Sequence, residues 1–284
     1  MTTIRYRQAT RNEFDLAVRW AANEGWNPGL GDADLFWETN PGGFVCAERD
    51  GEIIATGSIV NYAEAFGFMG FFIVRSDLRG QGIGRDFWHW RRDLLRSRLK
   101  SDAPIGMDGV FDMQHFYARG GFEFSHRNLR MEGIGQASLA GENFVELYKL
   151  RFEIIASYDR THFGFEREQF LNKWIEPKGG LGLGIMNGEQ LSGMGIIRPC
   201  VAGFKIGPLF ADNCNIAEQL FQALSNHAAD HPIYLDIPEN NPDALALAQR
   251  HQLKAVFGCA RMYRGTAPNL PWQHIYGITT FELG

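Results

Sequence analysis

An apolar run, Phe68-Met69-Gly70-Phe71-Phe72-Ile73-Val74, leads into Arg75-Ser76-Asp77-Leu78-Arg79-Gly80-Gln81-Gly82-Ile83-Gly84-Arg85, and a strongly patterned helix follows. This strand, glycine-rich turn and helix start constrain the chain more than any other stretch. At a helix start the backbone N–H groups lack intrahelical partners and the dipole adds partial positive charge, so the turn reads as an anion cradle. Gly82 and Gly84 let the backbone approach a phosphate with no Cβ in the way. Arg79 and Arg85 add mobile positive charge at the same end. The candidate cofactor-binding loop is therefore Arg79, Gly80, Gln81, Gly82, Ile83, Gly84 and Arg85. It is not a Walker loop, because no Gly-Lys-Ser/Thr follows. The first glycine of the dinucleotide fingerprint is absent, and no acid ends a second strand about twenty residues on.

Bulk properties narrow the function classes. The chain has 284 residues, 45% of them hydrophobic, enough for one large or two ordinary domains. A net charge of −5 argues against nucleic acid or an anionic membrane as partner. The basic residues near 85–100 read as the solvated face of the loop helix. Cys46, Cys200, Cys214 and Cys259 are far apart and form no Cys-x-x-Cys, which points to free thiols in a reducing compartment. His227 and His231 are spaced i, i+4, but no third ligand accompanies them, and no metal is expected. No apolar targeting stretch opens the sequence and no run approaches a membrane span, so a soluble cytoplasmic protein is expected.

Element signals are clear in the first half. Ile4–Arg7 alternates as a strand. Thr10 and Glu13 form a capping box before a helix over 14–23. A short helix over 32–39 follows, then strands over 44–48 and 53–62 joined by Asp50-Gly51. The loop helix carries apolar residues at 83, 87, 90, 94 and 95. A strand over 105–111, a helix over 113–119 and a strand over 122–131 complete it.

The Arg79-x-x-Gly82-x-Gly84 spacing resembles the coenzyme A loop of the GNAT superfamily of acetyl-CoA-dependent N-acetyltransferases. His115-Phe116-Tyr117-Ala118-Arg119-Gly120-Gly121-Phe122 looks like that family's Tyr-x-x-x-Gly-Phe segment, in the right order and at the right distance. Ser76 stands where the family usually has proline. The resemblance covers residues 1 to about 140 and implies an α/β fold, a mixed and mostly antiparallel sheet flanked by helices with a splayed central strand pair. It also implies that the backbone of Phe72, Ile73 and Val74 holds the pantetheine arm and stabilises the oxyanion, and that Tyr117 is the general acid.

The second half echoes the first at a constant offset of 131 residues: Arg119 meets Arg250, Phe122 meets Leu253, Arg130 meets Arg261 and Met131 meets Met262. Asp108 and Asp236 each sit in an apolar strand before these helices. The expectation is a duplicated fold, with a cofactor-binding domain over 1–140 and a divergent domain over 141–284. Asp212, Asn213, Cys214 and Asn215 replace the phosphate loop, Asp212 reading as a helix cap that repels an anion, and Ala248 replaces Tyr117. The whole resembles tandem GNAT proteins.

The implied reaction is direct transfer, in a ternary complex, of the acetyl group of acetyl-CoA to a small-molecule or peptide amine. Relatives often carry a glutamate base on the strand over 68–74. This chain has none there, leaving Glu64, Asp108 or a water relay. Trp26, Asn27 and Tyr62 are candidate substrate contacts. Two other readings stay open, a longer acyl group and a non-catalytic acyl-CoA sensor. A homodimer is compatible with each.

Overall fold

The computed structural model describes residues 3–137 and 143–284, so the expected domain boundary at 140/141 lies outside the described residues. The first half runs β1 (Arg5–Gln8), α1 (Arg11–Asn23), α2 (Asp32–Thr39), β2 (Phe44–Arg49), β3 (Glu52–Tyr62), β4 (Phe66–Val74), α3 (Ile83–Arg96), β5 (Ile105–Val110), α4 (Gln114–Arg119) and β6 (Glu123–Ile134). The second half repeats the order as β7 (Phe144–Glu146), α5 (Phe152–Phe163), α6 (Glu168–Trp174), β8 (Leu181–Asn187), β9 (Gln190–Pro199), β10 (Phe204–Ala211), α7 (Cys214–His227), β11 (Pro232–Pro238), α8 (Pro242–Arg250) and β12 (Lys254–Arg264). It then adds β13 (Ile275–Gly277). Side-chain caps set the starts of α1, α7 and α8. The Thr10 hydroxyl accepts from the Glu13 N–H, and the Glu13 carboxylate accepts from the Thr10 N–H, closing the capping box.

Asp212 does not cap α7. Asn213 does, its side chain accepting from the N–H groups of Asn215 and Ile216 at 3.1 Å each. The helix therefore begins at Cys214, directly after this cap.

All strands join one sheet in the order β1-β2-β3-β4-β5-β12-β6-β11-β10-β9-β8-β7, with β13 on β10 off that path. The pairs β4·β5 and β10·β11 are parallel and the other ladders antiparallel. The halves exchange strands: β12 lies between β5 and β6, and β6 lies between β12 and β11.

Two matching ion pairs lock the exchange. Arg130 on β6 faces Asp236 on β11 and donates to it at 2.7 and 2.8 Å. Arg261 on β12 faces Asp108 on β5 and donates at 2.9 and 2.6 Å. All four side chains are at most 5% exposed. Removing one partner of such a pair strands the other charge, at a cost of about 3–5 kcal/mol. Packing of α2 on α6 adds apolar contact between the halves, with Phe36 stacked on Trp174 at 6.1 Å.

Each half has a wedge. The β4·β5 pairing covers only Gly67↔Ile105, Phe68↔Gly106 and Met69↔Met107, and the β10·β11 pairing only Phe204↔Ile233, Lys205↔Tyr234 and Ile206↔Leu235. Beyond these residues the parallel strands part. In the second half the chain fills the gap itself. Here β13 pairs with β10, and the Ile278 N–H donates to the Asp236 carbonyl on β11 at 2.9 Å.

Candidate functional site

The first wedge opens into a cavity of about 530 Å³. Its walls come from β4, the loop before α3, β5, α4 and, from the second half, Phe257, Cys259, Phe281 and Glu282. The volume suits a ligand of cofactor-arm size.

The loop has the backbone geometry that an anion cradle requires. Gly80 and Gly82 hold φ of +77° and +82°, in the left-handed region that glycine occupies without strain. Gly82 is the N-cap of α3 and brings no side-chain cap, so the first N–H groups of the helix are not satisfied as those of α7 are. A Cβ on Gly84 would lie 3.1 Å from Val74, which keeps helix and strand close. Arg79, Gly80, Gly82, Gly84 and Arg85 line the cavity; Gln81 and Ile83 lie in the same loop outside its lining, and Ile83 is buried in the core. Arg79 donates to the Val74 carbonyl at 2.9 Å and pairs with Glu24 at the end of α1. Arg85 is exposed and bonds Asp86.

A bulge sets the strand behind the loop. Thr56 pairs with Ile73 and Ser58 with Gly70, so Gly57 faces both Phe71 and Phe72. Phe71 takes a φ of +48°, unusual for an aromatic residue. Arg91 of α3 stabilises this geometry. It is 1% exposed, and its Nη2 donates to the Ser58 and Gly70 carbonyls at 3.2 and 3.3 Å. A Cβ on Gly57 would lie 2.1 Å from its Nη1. Its Nε and Nη1 have no partner among the described residues. Burial pushes the Arg91 pKa down to about 9, opposed by the Tyr117 phenol, so it remains a cation at neutral pH. Sequence periodicity omitted Arg91, although it falls on the buried stripe Ile83, Phe87, Trp88, Arg91, Leu95. A charge on an apolar stripe was the available signal.

Tyr117 lies in the cavity wall and is 4% exposed. Burial raises its pKa, while the Arg91 charge pulls it back. A Cβ on Gly109 would lie 2.3 Å from the Tyr117 ring, so the strand leaves room for it.

The other expected residues divide. Phe72, Ile73, Val74, Trp26 and Asp108 line the cavity. Asp108 is committed to Arg261 and also accepts from Asn128 at 2.8 Å. Asn27, Tyr62 and Glu64 are outside the lining. Asn27 accepts from the Ala202 N–H at 2.8 Å and donates to its carbonyl at 3.0 Å, tying the Trp26 loop to the second half. The Tyr62 hydroxyl is buried and donates to the Leu283 carbonyl at 2.7 Å. Glu64 sits exposed on the β3–β4 turn.

Residues 278–284 form a wall that sequence inspection missed. A Cβ on Gly70 would lie 2.2 Å from the Glu282 carbonyl, so glycine is needed where this segment crosses β4. The Thr280 hydroxyl accepts from the N–H groups of Glu282 and Leu283, turning the chain. Glu282 is 4% exposed, its Oε2 is unpartnered among the described residues, and burial raises its pKa. A single acid in a short apolar stretch gave no local hint of this placement.

The comparisons agree with these features. The profile of the acetyltransferase (GNAT) family matches residues 9–122, and that of an acetyltransferase (GNAT) domain matches 155–277. The chain belongs to the GNAT superfamily. It carries two GNAT domains in tandem and is an acyltransferase. A holothin acyltransferase of Pseudoalteromonas sp. is 27% identical over 280 residues, 98% of this chain and 94% of that protein. An uncharacterised protein of Caenorhabditis elegans is 26% identical over 173 residues, 56% of this chain and 54% of its own length. A proposed acetyltransferase of Pyrococcus horikoshii superposes with a TM-score of 0.84 at 23% identity, covering 99% of this chain and 96% of that one. A tandem GNAT protein from the clavulanic acid biosynthesis pathway gives 0.64 at 11% identity over 94% and 100%. These two structures establish the tandem GNAT fold. No helix among the described residues is long and apolar enough to cross a membrane.

Proposed function

We propose that the first GNAT domain transfers the acetyl group of acetyl-CoA to the nitrogen of a small-molecule or peptide amine, by direct attack within a ternary complex. The observation that carries this reading is the uncapped, glycine-lined start of α3 opening onto an unfilled wedge whose wall holds Tyr117. The donor's diphosphate would sit on the loop N–H groups, and Arg79 and Arg85 would add charge. Its arm would follow Phe72, Ile73 and Val74 in the wedge. A backbone N–H at the bulge would stabilise the oxyanion.

The amine nitrogen attacks the thioester carbon and the C–N bond forms. The C–S bond then breaks and the departing sulfur takes the Tyr117 hydroxyl proton. Arg91 lowers the cost of the phenolate left behind. The nitrogen gives up one proton to the wall. Glu24 is tied to Arg79 and Asp108 to Arg261, so we assign that proton to Glu282; Glu282 then releases it to solvent and solvent returns one to Tyr117, which resets both residues. In this reading Asp108 positions the exchanged strand, and Glu64 and Tyr62 have no chemical part. Free buried Cys46, Cys200 and Cys259 suit a cytoplasmic location.

CoA release measured across acetyl-, propionyl- and hexanoyl-CoA with a panel of amines, holothin included, tests the proposal. Turnover with acetyl-CoA and at least one amine is expected. Acyl-CoA binding without CoA release for any amine would replace it with the sensor reading.

A further inference from the structure

The second domain holds a side-chain cluster that the acyl-transfer chemistry does not use. His162 lies near the end of α5, Asp212 directly follows β10, and His274 immediately precedes β13. One ligating atom of each lies within 4.8 Å of the other two. His162 is 3% exposed. Its Nδ1–H donates to the Tyr158 carbonyl at 2.8 Å, which fixes the tautomer and leaves Nε2 as a bare acceptor. Nε2 is buried and has no partner among the described residues. Such orphans are scarce in folded proteins, and a bound ion is one of the few things that accounts for one.

The surroundings match how metal ligands are held. A metal-ligating imidazole usually donates its second nitrogen to a carbonyl or carboxylate. The His162 ring stacks on Phe210 at 4.8 Å, and the Tyr158 hydroxyl donates to Asp212 Oδ1 at 2.9 Å, so two of the three side chains are oriented by other contacts.

We propose that His162, Asp212 and His274 form a binding site for a divalent transition ion, zinc foremost. Two imidazoles and one carboxylate favour such an ion over magnesium or calcium, and three protein ligands leave a fourth position for water. Metal–ligand bonds of about 2.0–2.2 Å bring ligand atoms to about 3.4 Å apart. Asp212 is exposed and His274 half-buried, so both can turn to close the difference. The ion ties α5, the turn before α7 and the entry to β13 together, clamping the strand that fills the second wedge. The turn that cradles an anion in the first domain would here hold a cation.

The test is zinc titration of the full chain, stripped with chelator, by calorimetry and thermal unfolding. It is done in a Cys214→Ser background, which removes the exposed thiol as a rival ligand. One zinc per chain and a thermal midpoint raised by several degrees are expected. His274→Gln and Asp212→Asn, both at accessible positions, should each weaken zinc binding about a hundredfold or more. No stoichiometric binding, or binding undiminished in both variants, overturns the site. Neither readout depends on acyl transfer.

Discussion

The two domains share an element order and a three-residue parallel pairing, yet only one wedge is open. In the first, β4 and β5 part around a cavity, α3 starts on a bare glycine, and a tyrosine sits in the wall. In the second, β13 occupies the gap, Asn213 satisfies the first N–H groups of α7, and a buried alanine, Ala248, stands where the tyrosine would be. A ligand site in this fold is thus a pair of local vacancies, unfilled strand edges and unsatisfied helix N–H groups. Filling both with the chain's own groups closes the second wedge. The second half still shapes the first, since Phe257, Cys259, Phe281 and Glu282 wall its cavity.

The largest expected effect tests the junction between the halves. Arg261→Met strands the Asp108 carboxylate and should cost about 3–5 kcal/mol in denaturant unfolding, as should Arg130→Met for Asp236. Equal losses would confirm that the exchange is energetically symmetric. A loss below about 1 kcal/mol for either would show that its pair is dispensable. Next in size is the chemistry of the open wedge. Tyr117→Phe should lower kcat about 10²-fold or more while leaving acyl-CoA affinity within about twofold, measured by steady-state kinetics and donor titration. Ala248→Tyr should create no activity, because β13 already fills that wedge. Any CoA binding there would break the comparison.

Glu282 provides a pH test. Its folded pKa is raised above the ordinary 4.5 by burial, with Asp32 raising it and Lys205, Arg130 and Arg198 opposing. Between pH 4.5 and that raised value the folded state therefore keeps a proton that the unfolded chain has lost. The stability this group contributes is present below pH 4.5 and is lost as pH rises through the folded value. Glu282→Gln should accordingly raise the unfolding midpoint at neutral pH while lowering turnover, and should have no stabilising effect near pH 4. Lower stability at neutral pH would show that the ionised carboxylate is held by its cationic neighbours instead. The smallest effect is at the filled site. Asn213→Ala should cost about 1 kcal/mol in unfolding and leave donor affinity unchanged.

Much of this was legible in the amino-acid order. Thr10 and Glu13 mark a helix start through bonds that span three residues, and Gly80 and Gly82 mark the turn before α3 through a left-handed backbone that glycine adopts without strain. The repeat placed Arg130 with Arg261 and Asp108 with Asp236 as equivalents. It did not show that each arginine reaches the aspartate of the other half, because an offset equates residues and carries no information about contact. Asn27 and Tyr62 were read as substrate contacts from their loop and strand; their polar groups bond Ala202 and Leu283, more than 170 positions away.

By itself, then, the sequence determined where α1 starts and which turn carries the glycines, since both depend on groups a few residues apart, and a repeat at one offset showed that the fold is doubled. Tertiary structure alone decided which wedge stays open, which carboxylates are spoken for and which face of the second domain walls the first. Those outcomes depend on strands crossing between halves and on charges losing water together. Both are set by distances that only the folded chain defines.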